Sequence, residues 1–142
     1  MNPNSIRRMA LLAILSCAAF AAQAEVVVVM SARSDVATLT APQVSQIFLA
    51  KSSALPGGGR AVAIDQVEGA AVRDAFYTKV TSRDAAQLRS YWSQLMFTGR
   101  AQRPKQVSGD AAVKREVAAT VGAIGYIDSA SVDASVKVVL KP

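Results

Sequence analysis

The residues with the strongest physical grounds for a function are Asp65-Gln66-Val67-Glu68-Gly69-Ala70-Ala71-Val72-Arg73. They stand where a short apolar run, Ala61 to Asp65, gives way to a helical pattern with Val72, Phe76 and Val80 at i, i+4 and i+8. In open α/β sheets ligands gather at the carboxyl ends of strands. The free amides of a helix N-terminus, here around Gly69 to Val72, make a ready seat for an anion. Ser31, Ala32 and Arg33 follow the first apolar run and reach the same edge if the sheet is parallel. The plainer alternative has Arg73 pairing with Asp74 or Glu68 on the surface and Glu68 simply complementing the helix dipole. A second place to attract an anion or an acidic partner, or else to form a solvated turn, is the basic loop Arg100-Ala101-Gln102-Arg103-Pro104-Lys105.

Other chemistries find less support. The chain has no His and one Cys, which removes the commonest neutral-pH general base and metal ligand and leaves no thiolate zinc site or internal disulfide. Gly57-Gly58-Gly59-Arg60 lacks a following Lys-Ser/Thr and leads into a strand instead of opening a helix, so it reads as an ordinary connection and not as a phosphate loop. No Ser-x-x-Lys stands at a strand-to-helix turn. Asp65 and Glu68 form a carboxylate pair of the kind used in acid/base work, but a solvated turn explains them as well. The reading is a non-enzymatic protein with no metal or other cofactor.

The N-terminal segment reads as an address. Arg7 and Arg8 precede an apolar run from Met9 to Phe20, and Ala22-Gln23-Ala24 offers the small residues of a cleavage site, the layout of a secretory signal peptide over 1–24. The run is shorter than the roughly 20 residues that span a bilayer. A minor alternative is lipoprotein anchoring at Cys17, after Ile14-Leu15-Ser16. Cleavage after Ala24 would take 24 of the 142 residues, leaving 118, and would remove Arg7, Arg8 and Cys17. The 16 basic residues then fall to 14 against 10 acidic, a net charge of +4 in place of +6. The expected location is the periplasm. The positive charge is spread without a Lys/Arg run, which gives a nucleic-acid partner little support.

The elements that must position these residues follow from pattern. Glu25 to Met30 (EVVVVM) is a β-branched run without alternation, as in a strand buried on both faces of a parallel sheet. Thr40-Ala41-Pro42-Gln43 opens a helix as a capping box with Pro in the first turn, and Val44, Ile47 and Phe48 share one face. Ala61 to Asp65 is a second strand, and a helix begins near Gly69. Ser82 is the expected N-cap of a long helix from Arg83 to about Phe97, with Ala85, Leu88, Tyr91/Trp92 and Leu95/Met96 as its apolar stripe. A helix over Asp110 to Thr120 and strands over Ala123–Ile127 and Val136–Leu140 complete the chain. The fold class is α/β, with a mostly parallel sheet of about four strands flanked by helices and one domain over 25–142.

Three segments together carry a family resemblance: Thr40-Ala41-Pro42-Gln43-Val44-Ser45-Gln46-Ile47-Phe48-Leu49-Ala50-Lys51, the Asp65-to-Phe76 turn and helix, and Thr120-Val121-Gly122-Ala123-Ile124-Gly125-Tyr126-Ile127. They resemble the substrate-binding proteins of phosphate ABC transporters. Tyr91 to Arg100, with Pro104 after it, looks like the short, stand-alone members of that superfamily. The resemblance implies a single periplasmic-binding-protein-like lobe of type II and an anion loop at Glu68 to Arg73. Carried over by position, Glu68 and Gly69 match the loop's acidic residue and first glycine. Ala70 stands where the family has serine, Ala71 where it has glycine and Val72 where it has threonine. Two hydroxyl donors are missing, and hydrogen bonds to a charged partner are worth about 1.5–3 kcal/mol each, a hundredfold or more together. Such receptors clamp their ligand between two lobes, and 118 residues suffice for one. The expectation is therefore a solute-binding-like protein for phosphate or a similar oxyanion, linked to ABC-type uptake. The rival expectation is an interaction module for an envelope transporter, porin or sensor that binds no small molecule. A homodimer that joins two half-clefts is compatible with the first.

Overall fold

A computed structural model describes residues 24–142. Apart from Ala24, the segment read as a signal peptide, with Cys17, lies outside the described residues. No helix among those described is long and apolar enough to cross a membrane.

Five strands form one mixed sheet: β1 (Val26–Ser31), β2 (Val62–Gln66), β3 (Lys105–Val107), β4 (Ala123–Asp128) and β5 (Val136–Leu140), in the spatial order β3-β2-β4-β1-β5. Four α-helices accompany them: α1 (Ala41–Phe48), α2 (Ala71–Thr81), α3 (Ala85–Phe97) and α4 (Asp110–Ala119). β2 pairs in parallel with both β3 and β4. β1, by contrast, runs antiparallel to β4 and to β5. The strand expected to mark a parallel sheet is thus the one that opposes the rest. Its unbroken apolar run reflects cover on both faces, not direction. Val26, Val28 and Met30 point into a core with α1, α2 and α3, while Val27 and Val29 point into a second core with Val113 and Val117 of α4.

The local signals set several boundaries. Thr40 caps α1 as a capping box: its side chain accepts from Gln43 N–H (3.3 Å) while Gln43 Oε1 accepts from Thr40 N–H (2.9 Å), with Pro42 in the first turn. α3 begins two residues later than expected. Asp84, not Ser82, is its N-cap, because Asp84 and Gln87 have the capping-box spacing and make both bonds. Ser82 instead closes α2 in the left-handed region, at φ 56°. β3 is the strand that pattern did not show. It is a three-residue edge strand with a polar start, paired on one side, so it carries neither alternation nor an apolar run.

The larger core is aromatic at its centre. Phe76 stacks on Tyr126 with ring centroids 4.0 Å apart, and Phe48 meets Phe76 edge-on at 4.7 Å. On the other face α4 lies directly on β4. A Cβ added at Gly125 would stand 2.5 Å from Val113 Cγ1 and 3.0 Å from Val117 Cγ2. Gly125→Ala must push α4 outward or twist both valines off their rotamers, and is expected to lower the unfolding free energy by about 1–3 kcal/mol. Urea denaturation beside the unaltered protein checks this, and an unchanged midpoint would show that the α4–β4 contact is slack.

Candidate functional site

The carboxyl end of β2 is buried: Asp65 is 1% exposed and Gln66 3%. The chain then turns through Val67 to Ala70, with Gly69 at φ +93°, a conformation that favours a residue without Cβ, and enters α2 at Ala71. Ala70 occupies the N-cap position without a side-chain cap. Its carbonyl accepts from the N–H of Arg73 (3.0 Å) and of Asp74 (3.2 Å). The amides of Ala71 and Val72 find no acceptor among the described residues. Two free donors at the positive end of an eleven-residue helix, one on an exposed residue and one on a half-buried residue, are what an anion requires.

Beneath this turn lies a buried polar network in which Arg73 Nε alone lacks a hydrogen-bond partner among the described residues. Asp65 Oδ2 accepts from Tyr77 OH (3.1 Å) and Asp65 Oδ1 from Gln66 N–H (2.9 Å) and from Tyr126 OH. Arg73, only 4% exposed, sets Nε 3.4 Å from Asp65 Oδ1 and Nη2 3.5 Å from Oδ2, with its guanidinium 4.9 Å from the centre of the Tyr77 ring. Burial works against the Arg73 charge, but the Asp65 carboxylate together with Tyr77 and Tyr126 outweighs it and raises the pKa above the usual guanidinium value. Burial, then the Asp65 charge, pushes both tyrosine hydroxyls upward, so they remain protonated donors. Gln66 is equally occupied. Its Nε2 donates to Asp110 Oδ1 (2.9 Å) and to Tyr126 O (3.1 Å), while Asp110 Oδ2 accepts from Asp128 N–H (3.1 Å) and Ser131 Oγ (2.8 Å).

The turn itself sits in positive surroundings. Glu68, exposed, bonds Arg89 Nη1 of α3 at 2.6 Å. That hydrogen bond holds its pKa below the ordinary value, with the charges of Arg89, Arg73 and Arg103 adding to the effect.

Of the residues read from sequence as one site, the structure brings together Gln66, Glu68, Gly69, Ala70, Ala71, Val72 and Arg73 and separates Ser31 and Arg33. Because β1 runs antiparallel, Ser31 pairs with Val136 at the opposite end of the sheet, where its Oγ accepts from Arg33 N–H (3.2 Å) and Arg33 Nη2 donates to Ala118 O of α4 (3.1 Å). The plainer reading of Arg73 changes too: its partner is the buried Asp65, not Asp74 or Glu68, and the partner of Glu68 is Arg89. Tyr77, Tyr126, Asp110 and Arg89 went unremarked as members of this cluster. Tyr77 follows Phe76 of the helical pattern and Tyr126 lies inside a strand run, and only their hydroxyls, each needing a partner when buried, signal a polar role. Among the described residues no group of three His, Cys, Asp or Glu is placed to hold a metal ion.

No protein-family model matches the chain, and no curated protein does. Solved structures do match. One is described as a phosphate ABC transporter substrate-binding protein from Clostridium perfringens with bound phosphate: 24% identity, TM-score 0.65, covering 81% of this chain and 44% of that one. The chain has a periplasmic-binding-protein-like fold. A second match to this PBP-like domain is an ABC-type phosphate transport receptor from Vibrio cholerae, at 17% identity and TM-score 0.64, covering 81% of this chain and 45% of that one. The PBP-like domain thus spans less than half the length of these two proteins. Its α2 turn lies at the end of the sheet where β2 and β4 both finish, the edge at which α/β folds place ligands.

Proposed function

We propose that this domain is an exported, non-enzymatic solute-binding protein of the periplasm that takes phosphate or a similar oxyanion at the α2 turn and serves ABC-type uptake. The observation that carries the reading is the pair of unpartnered amides, Ala71 and Val72, at the N-terminus of α2, on a fold shared with a protein solved with phosphate bound. Arg89 and Arg103 add favourable charge. Arg73 contributes less than its position in sequence suggests, because Asp65 neutralises it. With hydroxyls absent at 70 and 72, the binding is expected to be weak, in the millimolar range.

Titration calorimetry of the mature domain with phosphate and with sulfate tests the reading. Heat that saturates and a matching rise in melting temperature are expected; neither at millimolar anion would sink it. A sharper form uses Glu68, whose carboxylate occupies Arg89 and repels an incoming anion. Glu68→Gln should tighten phosphate severalfold by freeing Arg89, and a weakened affinity would instead make Glu68 a ligand contact.

One observation favours a second reading, an interaction module that binds no small molecule. The buried polar groups beneath the turn are nearly all paired with one another, so the network serves to hold the turn's shape whether or not an anion comes.

A further inference from the structure

A groove of about 500 Å³ opens between the end of α1, Arg60 ahead of β2, and the loop from α3 to β3. Its walls carry Lys51, Arg60, Arg100, Arg103 and Lys105, all exposed, and no Asp or Glu lines it. Lys105 pairs with Glu116 at 2.8 Å; the other four cations have no carboxylate partner among the described residues. Like charges held on facing walls repel, and no carboxylate in the groove's lining offsets them.

The same loop joins this groove to an apolar tip. Ala101, Gln102 and Arg103 line both the groove and the hollow beside Met96. Met96 is 53% exposed and Phe97 94%. α3 turns Leu88 and Trp92 into the core, and its last turn runs past the edge of that core, leaving Phe97 in water. An aromatic ring beside unpaired guanidiniums is the composition of an interface centre, where aromatics and Arg are enriched.

We propose that this face docks an acidic segment of a partner protein, with its carboxylates in the groove and an apolar side chain against Phe97 and Met96. Charge complementarity fixes the sign of the partner. A free inorganic oxyanion cannot use the apolar tip, and four unpaired cations around one groove exceed the charge of one such ion. A flat anionic membrane would meet the tip and the groove's rim only, whereas an extended chain lies along the groove between its walls. The surface does not include Glu68, Ala71 or Val72, and its test uses Arg60, Arg100 and Phe97, none of which the anion reading invokes.

The test is fluorescence anisotropy of the mature domain with a labelled poly-glutamate peptide carrying one central leucine. Binding that weakens as salt rises is expected. Arg60→Glu with Arg100→Glu should weaken it about tenfold or more, and Phe97→Ala severalfold. Arg115→Glu with Lys141→Glu, which changes net charge equally at exposed sites outside the groove, should leave it unchanged. All five side chains are exposed, and a melting curve for each variant verifies folding. The inference is overturned if the two double variants weaken binding equally, which would mean net charge alone. It is also overturned if pyrophosphate displaces the peptide and Phe97→Ala has no effect, or if phosphatidylglycerol vesicles are bound in preference to the peptide. Ala70→Ser with Val72→Thr should not alter peptide binding, so failure here and failure of phosphate binding are separate results.

Discussion

Asp65→Ala should lower the unfolding free energy by about 3–5 kcal/mol, the range seen when one partner of a buried ion pair is removed. Asp65 is 1% exposed and Arg73 4%, so the change leaves a guanidinium in the core with Tyr77 as its nearest stabilising group. The hydroxyls of Tyr77 and Tyr126 lose their acceptor as well, each at the cost of an unsatisfied buried donor. Small domains are stable by about 5–15 kcal/mol in all, so the variant should be close to unfolding. Arg73→Met is expected to be milder, about 1–3 kcal/mol, because Asp65 keeps three donors: both tyrosines and the Gln66 amide. Urea melts of the two variants read the asymmetry directly. Equal losses, or a loss below about 1 kcal/mol for Asp65→Ala, would mean that Arg73 escapes to solvent and the network holds little.

Ala70→Ser with Val72→Thr should tighten phosphate about a hundredfold, from two hydrogen bonds to a charged ligand worth about 1.5–3 kcal/mol each. The geometry receives both changes. Ala70 already has the extended backbone of an N-cap, φ −68° and ψ 128°, so its new hydroxyl can also cap α2 and stabilise it by about 1 kcal/mol. Val72 packs half-buried against the larger core, and a hydroxyl there offsets part of that gain. Stability should therefore change little while affinity rises, and calorimetry with phosphate separates the two. An unchanged affinity in a folded variant would show that the α2 turn is not where the anion sits.

Much of the scaffold was legible. The capping box at Thr40 and Gln43, the apolar stripe of α2 and the place of the strand-to-helix turn all rest on neighbours within four residues. Spacing of 2 or 3.6 reads such features directly. β3 escaped because an edge strand of three residues has no period to show, and Ser82 reads as the cap of α3 because its residue type suits an N-cap, whereas Asp84 has Gln87 at the spacing that reciprocates. Of the candidate site, the turn was legible and its chemistry was not. In the sequence the partners in view for Arg73 are its neighbours Asp74 and Glu68, while its true partner lies eight residues back on the end of a strand.

The sequence by itself determined an α/β chain with a helix beginning near Gly69, no hydroxyl side chain at 70 or 72, and a basic loop over 100–105. Only the tertiary structure decided that β1 opposes the other strands, which moves Ser31 and Arg33 to the far edge of the sheet, and that Asp65 consumes the charge of Arg73. The reason is range. Strand direction and buried charge pairing depend on contacts such as Tyr126 to Asp65, 61 residues apart, and no local period records which of two distant groups will share one dry space.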